Sequence, residues 1–244
     1  ILGQATNPTV IQSHLKKLFA GIHSVRFDEA NQHILGMRSL DGELVPLIKK
    51  IRITTSVEEW LKQLAKEMVT TLQNLLLNAL QDSKKQIGQV PVEKYPSQIS
   101  CLAESINFTE RCEEAIKNGQ LDKFHTDIQQ VLEKYTNVHI DTNSTDGLVI
   151  DLKYKALIMD TVHNMDVVQQ LKDARIKNIY DWLWQKQLRF YLEHNNAIIK
   201  MVDAQFNYTY EYQGNAQKLV HTPLTDKCYL TLTQGMHMGF GGNP

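Results

Sequence analysis

Nine histidines, three cysteines and several neighbouring carboxylates could do chemistry in this chain, and their spacing gathers none of them into a catalytic centre. No two histidines stand four residues apart around a glutamate, the arrangement with which one helix face offers zinc two imidazoles and a base. Cys101, Cys112 and Cys228 contain no Cys-x-x-Cys pair, and an odd number of cysteines does not close a disulfide framework, so they read as reduced thiols. Glu58–Glu59, Glu110 and Glu113–Glu114 fall on the polar faces of helical stretches, where solvated charge is the default. His14 and His163 have no partner at a recognisable spacing and read as packing or surface residues. The glycine-rich end, Gly239-Phe-Gly-Gly-Asn243, frees the backbone for positive φ. It lacks the G-x-x-x-x-G-K-[ST] order that cradles phosphates, and taken bare it is a helix C-cap and a loop.

The elements that would position these residues follow from periodicity. Thr222, standing before a proline, is held extended, and Pro223 suits the first turn of a helix, where its missing N–H costs nothing. Asp226 adds negative charge at the positive end of that helix. Just upstream, Phe206, Tyr208, Tyr210 and Tyr212 alternate with polar residues, the period of a half-buried strand with a row of rings on one face. Helical spacing runs through Val10, Ile11, Leu15, Leu18, Phe19 and Ile22, starting at Asn7-Pro8-Thr9, and again through Trp60, Leu61, Leu64, Met68, Leu72, Leu75, Leu76 and Ala79. Between them Asp41-Gly42, flanked by apolar residues, predicts a hairpin over 34–48. A tight turn there puts Leu35, Met37, Leu44 and Ile48 on one face and Pro46 on an edge strand. Further helices are expected through Ile99 to Ile106, from a Thr109 cap to Gly119, and from Leu121 to Tyr135. The Asn-, Asp- and Ser-rich stretch 137–147 is a loop and a candidate boundary. Helical pattern resumes from Leu148 to Leu171 and again from Ile176 to Leu192. The expectation is packed helices over most of 7–200 with one hairpin.

Bulk properties narrow the function classes. A net charge of −1 opposes a general nucleic-acid binder, which carries a basic face. Charged residues at 22% and apolar ones at 42% fit a folded chain of ordinary composition. No apolar run approaches the roughly 20 residues that span a bilayer. The start, Ile1-Leu-Gly-Gln4, has neither an initiator methionine nor a signal-peptide layout, and the chain reads as an internal piece of something longer. Three Asn-x-Thr triplets, at Asn107, Asn143 and Asn207, read as chance matches to the glycosylation pattern.

Several stretches carry a resemblance. Leu219-Val220, Thr222-Pro-Leu-Thr-Asp-Lys-Cys-Tyr229 and Gly241-Gly-Asn-Pro244 resemble the start of the first AAA+ module of a dynein heavy chain. Phe206-Asn-Tyr-Thr-Tyr-Glu-Tyr-Gln-Gly214 is similar to the aromatic segment joining the dynein linker to that module. Asn7 to Ile22, the glycine-methionine stretch at Gly36-Met37, Val162 to Val168 and Trp182 to Tyr191 resemble the linker itself. The resemblance implies a mainly α fold: an elongated helical-bundle linker with a small β-hairpin over 1–205, then over 206–244 the junction and the first strand and helix of an α/β AAA+ module. It implies that Leu219, Val220, Pro223 and Leu224 form the adenine side of an incomplete ATP site, that ATP or ADP with Mg2+ serves the intact motor, and that the Walker A loop follows Pro244. It further implies a non-catalytic stretch of an ATPase whose linker works as a lever against the AAA+ ring of the same chain. Distant parts would bind microtubules, and the tail would bind intermediate and light chains. Gly235-Met-His-Met-Gly239 resembles the branch of the family that drives retrograde intraflagellar transport, which adds transport trains as partners and the cytoplasm, cytoskeleton and cilium as location. The alternative on composition alone is a stand-alone helical interaction module; an autonomous enzyme is opposed by the lack of a convergent polar cluster.

Overall fold

A computed structural model describes residues 8–85, 90–215 and 220–241. The chain is mainly helical with two small antiparallel sheets, and it divides into two compact units. The described residues of Ile1–Ser100, Ile140–Lys153 and Thr209–Ala216 make the first unit, and those of Cys101–His139, Tyr154–Tyr208 and Gln217–Pro244 the second.

The first unit opens with α1 (Pro8–Leu18), which buries Ile11 and Leu15, and a sheet of β1 (Ser24–Phe27), β2 (His33–Arg38) and β3 (Leu44–Arg52) in that order. The expected hairpin is β2–β3, and Pro46 lies on the edge strand, where a missing N–H costs no ladder bond. The expected face is wrong. Ile34, Met37, Val45, Leu47 and Ile51 are buried, whereas Ile48 is exposed and Leu35 and Leu44 are only half-buried. The cause is register. The connection is the wider loop 39–43, closed by Ser39 N–H on Glu43 O, and the pairing slips between Ile34 and Gly36, so side chains past the slip change face. The edge of β3 is finished by α2 (Val57–Lys85): Thr71 Oγ1 accepts from Ile48 N at 3.2 Å and Glu67 from Lys49 N at 2.8 Å. The α2 stripe falls where periodicity places it, with Trp60, Leu64, Met68, Leu72, Leu76 and Ala79 all buried.

Two expected helices are one, α3 (Ser97–Asn118). Thr109 is not a cap; its hydroxyl donates to Ser105 O at 2.9 Å, within the helix. Next come α4 (Leu121–Thr136) and α5 (Thr145–Asp173), which begins at Thr145 rather than Leu148 because Ser144 Oγ takes the Gly147 N–H at 3.0 Å.

The largest departure lies in the second unit. Beyond α5 the helical reading of 176–192 fails: only the short α6 (Trp182–Gln185) forms, and β4 (Arg189–Glu193), β5 (Asn196–Met201) and β6 (Ala204–Asn207) make a meander. His194 and Asn195, both at positive φ, make the tight turn between β4 and β5, the conformation whose twist matches paired strands. Val202 turns β5 into β6 at φ 53, an unfavourable conformation for a β-branched residue, and its N–H donates to Gln185 O at 2.9 Å. Cys112, Phe124, Ile128, Val168, Leu171 and Trp184 form the core. Glu113, expected on a solvated face, instead accepts from Trp184 Nε1 at 3.3 Å and from Tyr191 OH at 2.6 Å. Buried Arg189 donates to that same phenol, so a tyrosine bridges the two charges. Burial, then the bond to Glu113, pushes the Tyr191 pKa upward, which keeps the phenol protonated as a donor. Among the described residues no helix is long and apolar enough to cross a membrane.

Candidate functional site

Thr222 and Pro223 decide how the last helix, α7 (Pro223–His237), begins. Thr222 is extended, as its place before proline requires, and its hydroxyl accepts from Thr225 N at 3.2 Å, while Thr225 Oγ1 accepts from Thr222 N at 2.7 Å. Each threonine thus satisfies the other's backbone donor. The far end closes as the glycine pattern indicated: Gly239 takes φ 80, and Phe240 N–H reaches back to Gly235 O at 2.8 Å.

Of the four residues on the adenine side, Leu219 lies outside the described residues, as do Gly242, Asn243 and Pro244. Val220 and Leu224 are 68% and 71% exposed, and Pro223 is exposed between them in sequence. None of the residues of α7 is buried, although Leu232 and Met236 are large and apolar. The helix is held to its unit by Gln234 Nε2 donating to Met201 O at 2.8 Å, and by Thr233 beside Met201 Sδ. Val220, Pro223 and Leu224 are apolar and exposed, the chemical type that can cover the face of a flat base. Phosphates need a loop of free backbone N–H groups and a lysine, and the described residues hold no such loop. No group of three or more metal-ligating side chains occurs among the described residues.

Residues 209–215 are placed differently. The expected strand through four aromatics ends at Asn207; alternation of burial continues, but the backbone at Tyr210 turns to φ 54. Tyr210 and Tyr212 are buried in the first unit at 2% and 0% exposure. Tyr212 OH donates to Glu43 Oε2 at 2.7 Å, and Ser97 N–H donates to Glu43 Oε1 at 2.8 Å. Lys153 Nζ lies 3.6 Å from Glu43 Oε1 and donates to Tyr95 O at 2.8 Å. Gln98 clamps the same stretch through both ends of its amide, donating to Glu211 O at 2.9 Å and accepting from Gln213 N at 2.8 Å. Gly21 lets this backbone come close: a Cβ there would stand 2.0 Å from Tyr212 O. Desolvation first, then the Glu43 charge, drives the Tyr212 pKa far upward, so the hydroxyl remains a donor to the carboxylate throughout the physiological range.

Sequence reasoning found the aromatic row and the helix start. It gave no partner to Glu43, read as part of the hairpin and as the end of the linker-like stretch Gly36-Met-Arg-Ser-Leu-Asp-Gly-Glu43, and it missed Lys153. The one signal was a charged residue inside an otherwise apolar pattern, and periodicity alone cannot distinguish that from surface charge. It also left His163 without a partner, whereas its ring stacks on His221 with centroids 3.6 Å apart.

Comparison with known proteins connects these two places. Residues 1–79 match the family described as "Dynein heavy chain, N-terminal region 2", and residues 208–244 match the "Hydrolytic ATP binding site of dynein motor region". The chain belongs to the dynein heavy-chain family. The cytoplasmic dynein 2 heavy chain 1 of Tripneustes gratilla is 57% identical over 251 residues, and that of Homo sapiens 54% over 248. The cytoplasmic dynein heavy chain of Dictyostelium discoideum is 34% identical over 273 residues. Each match takes in 100% of this chain and 6% of the relative, so the chain spans 6% of the length of these curated relatives. The dynein ATP-site match begins at Tyr208, directly after β6, and so takes in both the buried tyrosines and α7.

Proposed function

We propose that this chain is the C-terminal part of a dynein linker over 1–205 followed, over 206–244, by the junction to the first AAA+ module, and that it works as the lever through which nucleotide state in that module moves a cargo-bearing tail. The observation that carries the reading is the anchorage of Tyr212 on Glu43 a few residues ahead of an exposed, proline-started helix that matches the dynein ATP-site family. A stretch anchored by buried bonds at Tyr212 and followed along the chain by exposed apolar residues supplies the two contacts a transmitter needs. On this reading Val220, Pro223 and Leu224, with Leu219, cover the adenine, while phosphates and Mg2+ are held by other parts of the motor. The bound nucleotide supplies the free energy of hydrolysis; the residues of this chain orient the base and carry the resulting movement. The identity to cytoplasmic dynein 2 relatives supports a place in retrograde intraflagellar transport, with microtubules, intermediate and light chains and transport trains as partners of the whole heavy chain in cytoplasm and cilium. The match of residues 208–244 to an ATP-site family supports this reading over a free-standing interaction module.

Leu224→Asp in the full heavy chain tests the adenine assignment. Its side chain is exposed, so the melting temperature should barely change, since surface substitutions typically stay within about 0.5 kcal/mol. The KM for ATP should rise about tenfold, the expected loss for one apolar contact in a binding pocket. An unchanged KM removes Leu224 from the site. The 244-residue chain by itself should not bind ATP with a micromolar Kd, roughly −8 kcal/mol, because an apolar wall for the base supplies only part of that free energy. A calorimetric titration showing micromolar binding contradicts this division of the site.

A further inference from the structure

The stacked histidines form a contact that neither the family match nor the nucleotide reading assigns. His163 lies in the middle of α5, and His221 lies in the short extended lead before the Thr222 cap of α7. Their rings are 3.6 Å apart between centroids and 14° from parallel. His221 and Val220 stand outside the regular elements, so the lead into α7 has few fixed points: the Thr225 hydroxyl donates to Val220 O at 3.2 Å, and the His221 ring rests on α5. The groups facing the pair are Asp160 and Asp166 on α5, Asp226 on the first turn of α7, whose carboxylate is 3.9 Å from His221 Nδ1, and the Tyr229 ring, 6.4 Å from the His221 ring.

We propose that His163 is a positioning residue, a proton-sensitive latch whose ring docks the lead 220–222 of α7 on α5 and lets it go when that ring takes up a proton.

A neutral His163 ring stacks on its neighbour at little cost, whereas a charged ring at this half-buried place must first be stripped of water. Burial, and next the neighbouring His221, hold the His163 pKa below its ordinary 6.5, against the opposing pull of Asp226, Asp160 and Asp166. A histidine whose docked pKa is lowered contributes stability that is complete above 6.5 and is lost as pH falls from there through the lowered value, because the undocked form binds the proton more readily. The three carboxylates oppose that lowering and so limit how strongly docking responds to pH. The latch is independent of the adenine assignment, since it concerns docking of the lead and not the base.

The test is NMR on the 244-residue chain, with two variants that separate ring packing from titration. At about pH 7.5, above the histidine range, the wild-type chain should show NOEs between the His163 and His221 ring protons and protection of the Thr225 and Asp226 amides, whose bonds run to Thr222. At about pH 5.5, below the ordinary histidine value, the NOEs should weaken and the protection factors fall by up to about tenfold, the limit for one proton over one unit of pH. His163→Phe keeps an aromatic face without a titrating group and should hold the protection at both pH values. His163→Ala should show the lowered protection already at the higher pH. Wild-type protection that does not change with pH would overturn the latch, and so would a His163→Phe chain that loses protection with the wild-type midpoint.

Discussion

Glu43→Ala should destabilise the first unit by about 3–5 kcal/mol, the usual cost of removing one member of a buried charged pair. The size comes from what the carboxylate leaves behind. Lys153, 8% exposed at its side chain, keeps its bond to the Tyr95 carbonyl but loses its counter-charge, which is costly for a buried ammonium. Ser97 N–H and Tyr212 OH lose their acceptors at the same time. The pair itself need not be a net gain over an apolar core, since desolvating two charges offsets much of their attraction. Lys153→Met introduced together with Glu43→Ala should therefore recover part of the loss, by removing the stranded charge. Tyr212→Phe leaves the charges paired and should cost about 1–3 kcal/mol, one hydrogen bond to a charged group. Urea unfolding of the four chains measures this series, provided the slopes agree. A Glu43→Ala midpoint within experimental error of the wild type refutes the network as the anchor of the junction.

The second large effect is expected in motion rather than stability. On the proposed reading, Tyr210→Ala in the full heavy chain should leave substantial ATPase activity while microtubule gliding velocity collapses, because the nucleotide site is intact and the element that carries its state is loosened. Tyr210 is 2% exposed and adopts φ 54, a conformation that side-chain packing must enforce on a tyrosine. Truncating a buried aromatic costs about 3–5 kcal/mol, so local loosening is assured, and its effect on movement distinguishes a transmitter from a simple packing element. If the row of rings only glues the chain together, melting temperature, ATPase rate and gliding velocity fall in parallel, and that result ends the coupling claim. Tyr210→Phe, which keeps the ring, separates packing from the hydroxyl in the same three measurements.

The sequence by itself determined those features whose cause lies within a few residues. The apolar stripe of α2 follows from 3.6-residue periodicity, the start of α7 from a proline after an extended threonine, and its end from a glycine that accepts positive φ. The β2–β3 hairpin was legible in Asp41-Gly42, and membership of the dynein family in the segments on either side of α7's start. Tertiary structure decided the rest. Which face of β3 is buried depended on a slip in pairing with β2, and strand register is a property of two segments together. The meander β4–β6 was hidden because aromatic and aliphatic residues at 180–192 suit either period, and only partners can choose: Ile199 across from Phe190 and Phe206, with Thr109 of α3 holding Phe190 N–H. Glu43 and Tyr212 are separated by 169 positions, and His163 and His221 lie on elements far apart in the chain. No local pattern marks a charged or aromatic side chain as the partner of another that distant, because its environment is created by the fold that brings the two together.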